Sequence, residues 1–157
     1  MGNRWFDSKA LLNLAHFYAT RFSGCTKVSV GSVITDGKGN ILSLGANAAV
    51  PDLCKTNGCL RVTKYGENSK LHRAPEDCRA LHSEIDAICH LQQSAAGGAI
   101  FVTRYPCEAC ARAIVAAGIK TVYYGRKQNP SSETMQIFDS ADVECIHVNW
   151  DAEDSYV

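Results

Sequence analysis

Residues 99–124 read AIFVTRYPCEACARAIVAAGIKTVYY, and the order of elements in this stretch decides the fold. Ala99 to Thr103 is an apolar run of strand length. Pro106 precedes a helix of small residues, Glu108 to Ala117, which Gly118 ends. Thr121 to Tyr124 is β-prone again. Strand, helix and strand in so few residues predict two parallel strands joined by a helical crossover.

The segments on either side extend the pattern. Upstream, a helix is expected from near His82 to about Ala96, burying Ile85, Ile88 and Cys89, with Gly97-Gly98 to stop it. Downstream, Asn129-Pro130 supplies a cap and a proline at the first helical position, opening a helix through Phe138. Val143 to Val148 follows as a last strand. Asp7 or Ser8 caps a first helix in which Leu11, Leu14, Ala15, Tyr18 and Phe22 recur at helical spacing, and Gly24 closes it. Val28 to Thr35 and Ile41 to Leu44 are short strands joined by Asp36-Gly37-Lys38-Gly39-Asn40, a hairpin signal. Residues 47 to 80 have no clean period and contain Pro51, Gly58, Gly66 and Pro75; a loop of that length is unusual unless something ties it down. The expectation is a single α/β domain over residues 1–157. It is a three-layer α/β/α sandwich on a mixed five-stranded sheet, with a Cys/His-containing insertion at about 48–80.

The chain's 157 residues fit one domain with one core. Sixteen basic residues balance sixteen acidic ones, which leaves no overall electrostatic argument for nucleic acid as a partner. No apolar run approaches the roughly 20 residues needed to span a bilayer. Met1-Gly2-Asn3-Arg4-Trp5-Phe6 has no apolar signal core, nor the Ser or Thr at position 6 expected of a myristoylation site, so the chain is read as cytoplasmic. The anomaly is the eight cysteines: Cys25, Cys54, Cys59, Cys78, Cys89, Cys107, Cys110 and Cys145. In a reducing compartment that number points to metal more than to disulfides. A secreted disulfide framework is the weaker reading without a signal segment.

Two short motifs carry the chemistry. His82-Ser83-Glu84 opens one helix, and Pro106-Cys107-Glu108-Ala109-Cys110 opens the next. Cys107 and Cys110 are three apart, about one helical turn, so both thiolates can face one metal, with His82 as a third ligand from the neighbouring helix. Three protein ligands leave the fourth tetrahedral position of a zinc ion open, as in catalytic rather than structural sites. Zinc there lowers the pKa of its water from about 15.7 to about 7. Helix N-termini favour thiolate over thiol. Glu84, two residues past His82, is the candidate proton shuttle between that water, the ring and the leaving amine. Alone, H-x-E is worth little, and C-x-x-C could be a redox pair or half of a structural site. Together, each opening a helix that leads into a strand, they match the known signature of zinc nucleobase deaminases, with attack at C4 of cytosine. A purely structural zinc module remains the competing reading; it predicts a fourth protein ligand and gives Glu84 no task.

Over roughly Leu11 to Val148 the chain resembles the deoxycytidylate (dCMP) deaminase branch of the cytidine deaminase superfamily. The matching segments are Val30-Gly31-Ser32-Val33-Ile34, Gly45-Ala46-Asn47, Leu81 to Ile88, Phe101 to Cys107 and Ala117 to Tyr124. The resemblance implies catalytic zinc on His82, Cys107 and Cys110, with Glu84 moving protons. It also implies a sugar contact from Asn47, a donor to the pyrimidine O2 from the Ser83 backbone N–H, and an acceptor for the exocyclic amine at the Tyr105 carbonyl. Tyr124 either faces substrate or is a strand-end core residue. Hydrolysis of dCMP to dUMP is the implied reaction, with dCTP or another cytosine compound as the alternative. Effector control by dCTP and dTTP, Mg2+ beside a triphosphate effector, and a hexamer are implied by the resemblance as well. Three departures stand out. Ser83 replaces the usual Ala, a mild change because the role there belongs to the backbone. Asp86 stands where Asn is commoner. Gly45-Ala46-Asn47-Ala48 replaces Gly-Tyr-Asn-Gly.

Some viral members of that branch bind a second, structural zinc in the insertion. Cys25, Cys54 and His72 fall near the relevant positions here, with Cys78 as fourth ligand ahead of Cys59 and Glu76. A structural zinc contributes on the order of 10 kcal/mol to folding, and the insertion has little core of its own; the bland alternative is buried thiols. Cys89 and Cys145 are read as core, His16 and His147 as structural, and His90 as solvated. Lys27 and Arg104 are loosely placed candidates for the substrate phosphate.

Overall fold

The computed structural model describes residues 7–49, 53–67, 78–126 and 131–152. Helix α1, Ser8–Phe22, is capped by the Asp7 carboxylate, which accepts from the Lys9 and Ala10 backbone N–H groups. It buries Leu12, Ala15 and Ala19, one stripe at helical period. Strands β1, Gly31–Thr35, and β2, Ile41–Ala46, form the expected hairpin, with Asp36 accepting from Lys38 and Asn40 to hold the turn. β1 starts later than expected and β2 runs longer.

The described part of the insertion contains more regular structure than its sequence indicated. A two-residue strand β3, Ala48–Ala49, is followed by short helices α2, Leu53–Asn57, and α3, Leu60–Tyr65. Strand β4, Ala80–Leu81, then pairs antiparallel with β3. Helix α4 is Ser83–Cys89, not a helix to Ala96. It closes at His90, whose ring Nδ1 lies 2.8 Å from the Asp86 carbonyl, and the Leu91 N–H turns in to Ile88. Its buried residues are Ser83, Glu84 and Ala87. Ile85 and Ile88 are half-buried and Cys89 is exposed, which corrects the expected core face.

β5, Ala99–Arg104, α5, Glu108–Ala116, β6, Thr121–Arg126, α6, Ser132–Ser140, and β7, Glu144–His147, complete the chain. The cap of α6 is Ser131, whose hydroxyl accepts from the Thr134 N–H; Asn129 and Pro130 lie outside the described residues. The five-stranded sheet has the order β2-β1-β5-β6-β7. The hairpin and the β1–β5 pair are antiparallel, while β5, β6 and β7 are parallel. α1 covers one face through Leu12, Ala15, Val33 and Phe101. α4, α5 and α6 cover the other through Ile34, Ala87, Ile100, Val102, Ile114 and Phe138. This is the expected three-layer sandwich. Because both faces are covered, β1 is buried at every residue. β7, with one neighbour, leaves Cys145 exposed rather than in the core. Among the described residues no helix is long and apolar enough to cross a membrane.

Gly45 sets the approach of α4 to the sheet. A Cβ there would lie 2.1 Å from the Ser83 carbonyl oxygen and 2.5 Å from the Ala87 nitrogen. The first turn of α4 therefore rests directly on the β2 backbone, which fixes where the next residues point.

Candidate active site

His82 is the N-cap of α4 and Cys107 the N-cap of α5, and neither side chain makes a capping hydrogen bond. Both are left free to turn toward one another, and Cys110 joins them from the first turn of α5. The His82 Nδ1 is 3.4 Å from the Cys107 sulfur and 3.4 Å from the Cys110 sulfur. Tetrahedral zinc, with Zn–S of about 2.3 Å and Zn–N of about 2.0 Å, puts its nitrogen and sulfur ligands about 3.5 Å apart. The donor set and its spacing thus fit that ion. Among the described residues this is the one group of three metal-ligating side chains whose ligand atoms all lie within 4.8 Å of one another.

The three side chains are also hydrogen-bonded to one another. Hydrogen bonds from Cys110 and then His82 bring the Cys107 thiol down to about 3 against the cost of burial. The Cys110 thiol moves up, through its bond to Cys107 and through burial. Hydrogen bonds to Cys107 and then to Cys78 raise His82 to about 10. The Cys107 thiol is thus drawn toward thiolate, as a helix N-terminus also favours. The Cys78 thiol, expected at a second metal, is hydrogen-bonded to the His82 side chain, which lowers its own pKa first.

Glu84 is 4% exposed. Burial raises its pKa above the ordinary carboxylate value, against lowering by its own backbone N–H, by His82 and by Ser83. The carboxylate hydrogen-bonds Cys110 as well. Beneath it, the Ser83 hydroxyl donates to Glu84 Oε2 at 3.1 Å and lies 2.7 Å from the Ser32 hydroxyl, both serines being fully buried. Sequence reasoning gave neither hydroxyl a role. The available signal was Ser32 itself, a polar residue flanked by Gly31, Val33 and Ile34.

Asn47 directly follows β2 and is buried, but its amide is largely occupied. Oδ1 accepts from the Ser23 hydroxyl and the Val30 N–H, each at 2.8 Å, and Nδ2 donates to the Val28 carbonyl at 2.9 Å. It pins residues 23–30 and leaves one amide hydrogen for a ligand. Asp86 accepts from the Ala46 N–H at 3.0 Å, tying α4 to the residue before Asn47, and its other oxygen is 3.3 Å from His90. Tyr105 is held at the end of β5 by its N–H to the Arg126 carbonyl. Tyr124 is half-buried in mid-strand, its ring edge-on to Tyr105 with centroids 4.8 Å apart. His16 packs edge-on against Trp150, and His147 Nε2 lies 3.0 Å from the Gly125 carbonyl. His90 is exposed. Lys27 is paired with Glu67.

In the insertion, Cys54 is buried, and its thiol is raised first by burial and then by Cys59, Cys25 and Cys78. Each of those three sulfurs is in electrostatic reach of Cys54. His72 and Glu76 lie outside the described residues.

The family model for the cytidine and deoxycytidylate deaminase zinc-binding region matches residues 7–126. The chain belongs to this deaminase family. Among curated relatives, the deaminase is 30% identical over 142 residues to ComE operon protein 2 of Bacillus subtilis, covering 87% of this chain and 68% of the relative. It is 27% identical over 118 residues to the deoxycytidylate deaminase of Mycobacterium phage D29, covering 69% of this chain and 87% of the relative. Its fold is shared with the dCMP deaminase of cyanophage S-TIM5 solved with dCMP and dUMP, at a TM-score of 0.65 and 24% identity. That match covers 88% of this chain and 94% of the other.

Proposed function

We propose that the chain hydrolyses dCMP to dUMP and ammonia. The observation that carries this reading is a buried carboxylate, Glu84, set against the trio of His82, Cys107 and Cys110. Zinc held by that trio would supply a hydroxide nucleophile at neutral pH. Glu84 takes a proton from the attacking water and passes it to ring N3. It then carries the proton of the new C4 hydroxyl to the departing amine as the C4–N bond breaks. A carboxyl whose proton affinity burial has raised suits both halves of that exchange. The Ser83 N–H at the start of α4 and the Tyr105 carbonyl at the end of β5 flank the same trio and would hold the ring edge. The remaining Asn47 amide hydrogen would meet the sugar, and Tyr124 would back Tyr105. The relatives named deoxycytidylate deaminase, together with the cyanophage fold, support dCMP over dCTP or a free nucleoside. The deciding assay incubates the zinc-loaded protein with dCMP, dCTP, dCDP, deoxycytidine and single-stranded DNA and separates the products. Preference for another substrate redirects the reading, and conversion of none overturns it.

A second, structural zinc on Cys25, Cys54, His72 and a fourth group would tie down the insertion. Cys59 competes with Cys78 for the fourth place, because Cys78 already bonds His82. Elemental analysis should give two zinc ions per chain, falling to one in Cys54→Ser; a reproducible value of one in the parent protein removes the site. Hexamer assembly, dCTP and dTTP as effectors, Mg2+ with such a triphosphate, and a cytoplasmic setting complete the proposal. Light scattering with and without dCTP tests the first two.

A further inference from the structure

The Ser32–Ser83 hydroxyl pair sits where the deamination reading assigns nothing but backbone. Ser32 lies opposite Gly45 in the β1–β2 ladder and opposite Val102 in the β1–β5 ladder, so its backbone is fixed from both sides. Its side chain alternates with Val33 and faces α4. Ser83 opens α4, whose first turn rests on Gly45. Neither hydroxyl reaches solvent, and each has one hydrogen and two lone pairs. An ionised carboxylate only accepts, so the Ser83 hydrogen goes to Glu84 Oε2 and the Ser32 hydrogen goes to Ser83, a one-way chain into the carboxylate. The pair thus anchors Oε2 of the Glu84 carboxylate from the buried side of the site.

We propose that Ser32 and Ser83 are positioning residues that hold the Glu84 carboxylate in one orientation, and so set kcat rather than substrate affinity. The proposal rests on the dCMP deaminase reading. It is tested with Ser32→Ala, Ser83→Ala and the double variant, all zinc-loaded and checked for zinc content. Each single change should lower kcat on dCMP about tenfold with KM and dUMP affinity within about twofold. The two act in series, so the double variant should lose no more than the worse single one. An isotope-edited infrared spectrum, with the Glu84 band identified by its loss in Glu84→Gln, reads the same orientation without turnover. The narrow carboxyl band of the parent should broaden or shift in all three variants. Unchanged kcat in Ser32→Ala, losses that multiply in the double variant, KM rising in step with kcat falling, or an unchanged infrared band would overturn the proposal. If the parent protein converts no dCMP, the function reading has failed, and the infrared band alone decides whether the pair orients Glu84. If Ser83→Ala does not fold, Ser32→Ala, which leaves α4 untouched, decides.

Discussion

Gly45→Ala should damage the active site from behind. Van der Waals contact to a Cβ begins near 3.4 Å, and the added carbon would stand 2.1 Å from the Ser83 carbonyl. About 1.3 Å must open between β2 and the first turn of α4. The nearest atoms, the Ser83 carbonyl oxygen and the Ala87 nitrogen, are both backbone of α4, and the Ala87 Cβ at 2.9 Å has no rotamer to change, so no side chain can give way. Overpacking of this kind costs about 1–3 kcal/mol, which for a chain of this size lowers Tm by roughly 2–12 °C. The displaced turn carries His82, Ser83 and Glu84. A misplacement of about 1 Å there is worth on the order of a hundredfold in rate. The assay pairs a thermal melt with kcat/KM on dCMP at matched zinc content. A variant with parental Tm and kcat/KM within twofold of the parent would refute the claim that Gly45 sets the position of α4.

Glu84→Gln should abolish measurable turnover, a loss of at least about a hundredfold, while zinc stays bound; retained activity would show that another group moves the protons. Asn47→Ala removes three hydrogen bonds worth about 1 kcal/mol each, so Tm should fall by roughly 6–12 °C; a melt unchanged within error would deny its hold on residues 23–30. His16 sits below its ordinary pKa because of burial and then the Arg126 charge. A depressed group contributes stability above its unfolded pKa, near 6.5, that is lost as pH falls through the folded value. The decline of Tm between about pH 7 and pH 5 should therefore be shallower in His16→Gln; equal slopes in the two proteins would contradict that assignment.

The strand–helix–strand unit from Ala99 to Tyr124 was legible because each element is bounded by its own signal, Pro106 at one junction and Gly118 at the other. The catalytic trio was legible for the same reason: its residues sit at helix starts, where local sequence controls geometry. α2 and α3, five and six residues long, are shorter than the window in which periodicity can be read. The end of α4 was misplaced because the apolar spacing continues through Ile88 and Leu91 after the helix has closed at His90. Cys89 and Cys145 look like core in pattern, yet one lies in a last helical turn and the other on an edge strand, positions that only the assembled sheet defines. The hydroxyl pair under Glu84 joins residues 51 apart in sequence, a distance that no local pattern spans.

The trio is rooted in the starts of α4 and α5, which cover one face of the sheet. The residues leading into β4 touch it as well, because the Cys78 thiol bonds the His82 side chain. The loop and the reactive centre are therefore mechanically joined at one imidazole. Whatever reshapes the chain ahead of β4 also retunes the group that grips the metal, so this fold cannot vary its loop with its chemistry standing still.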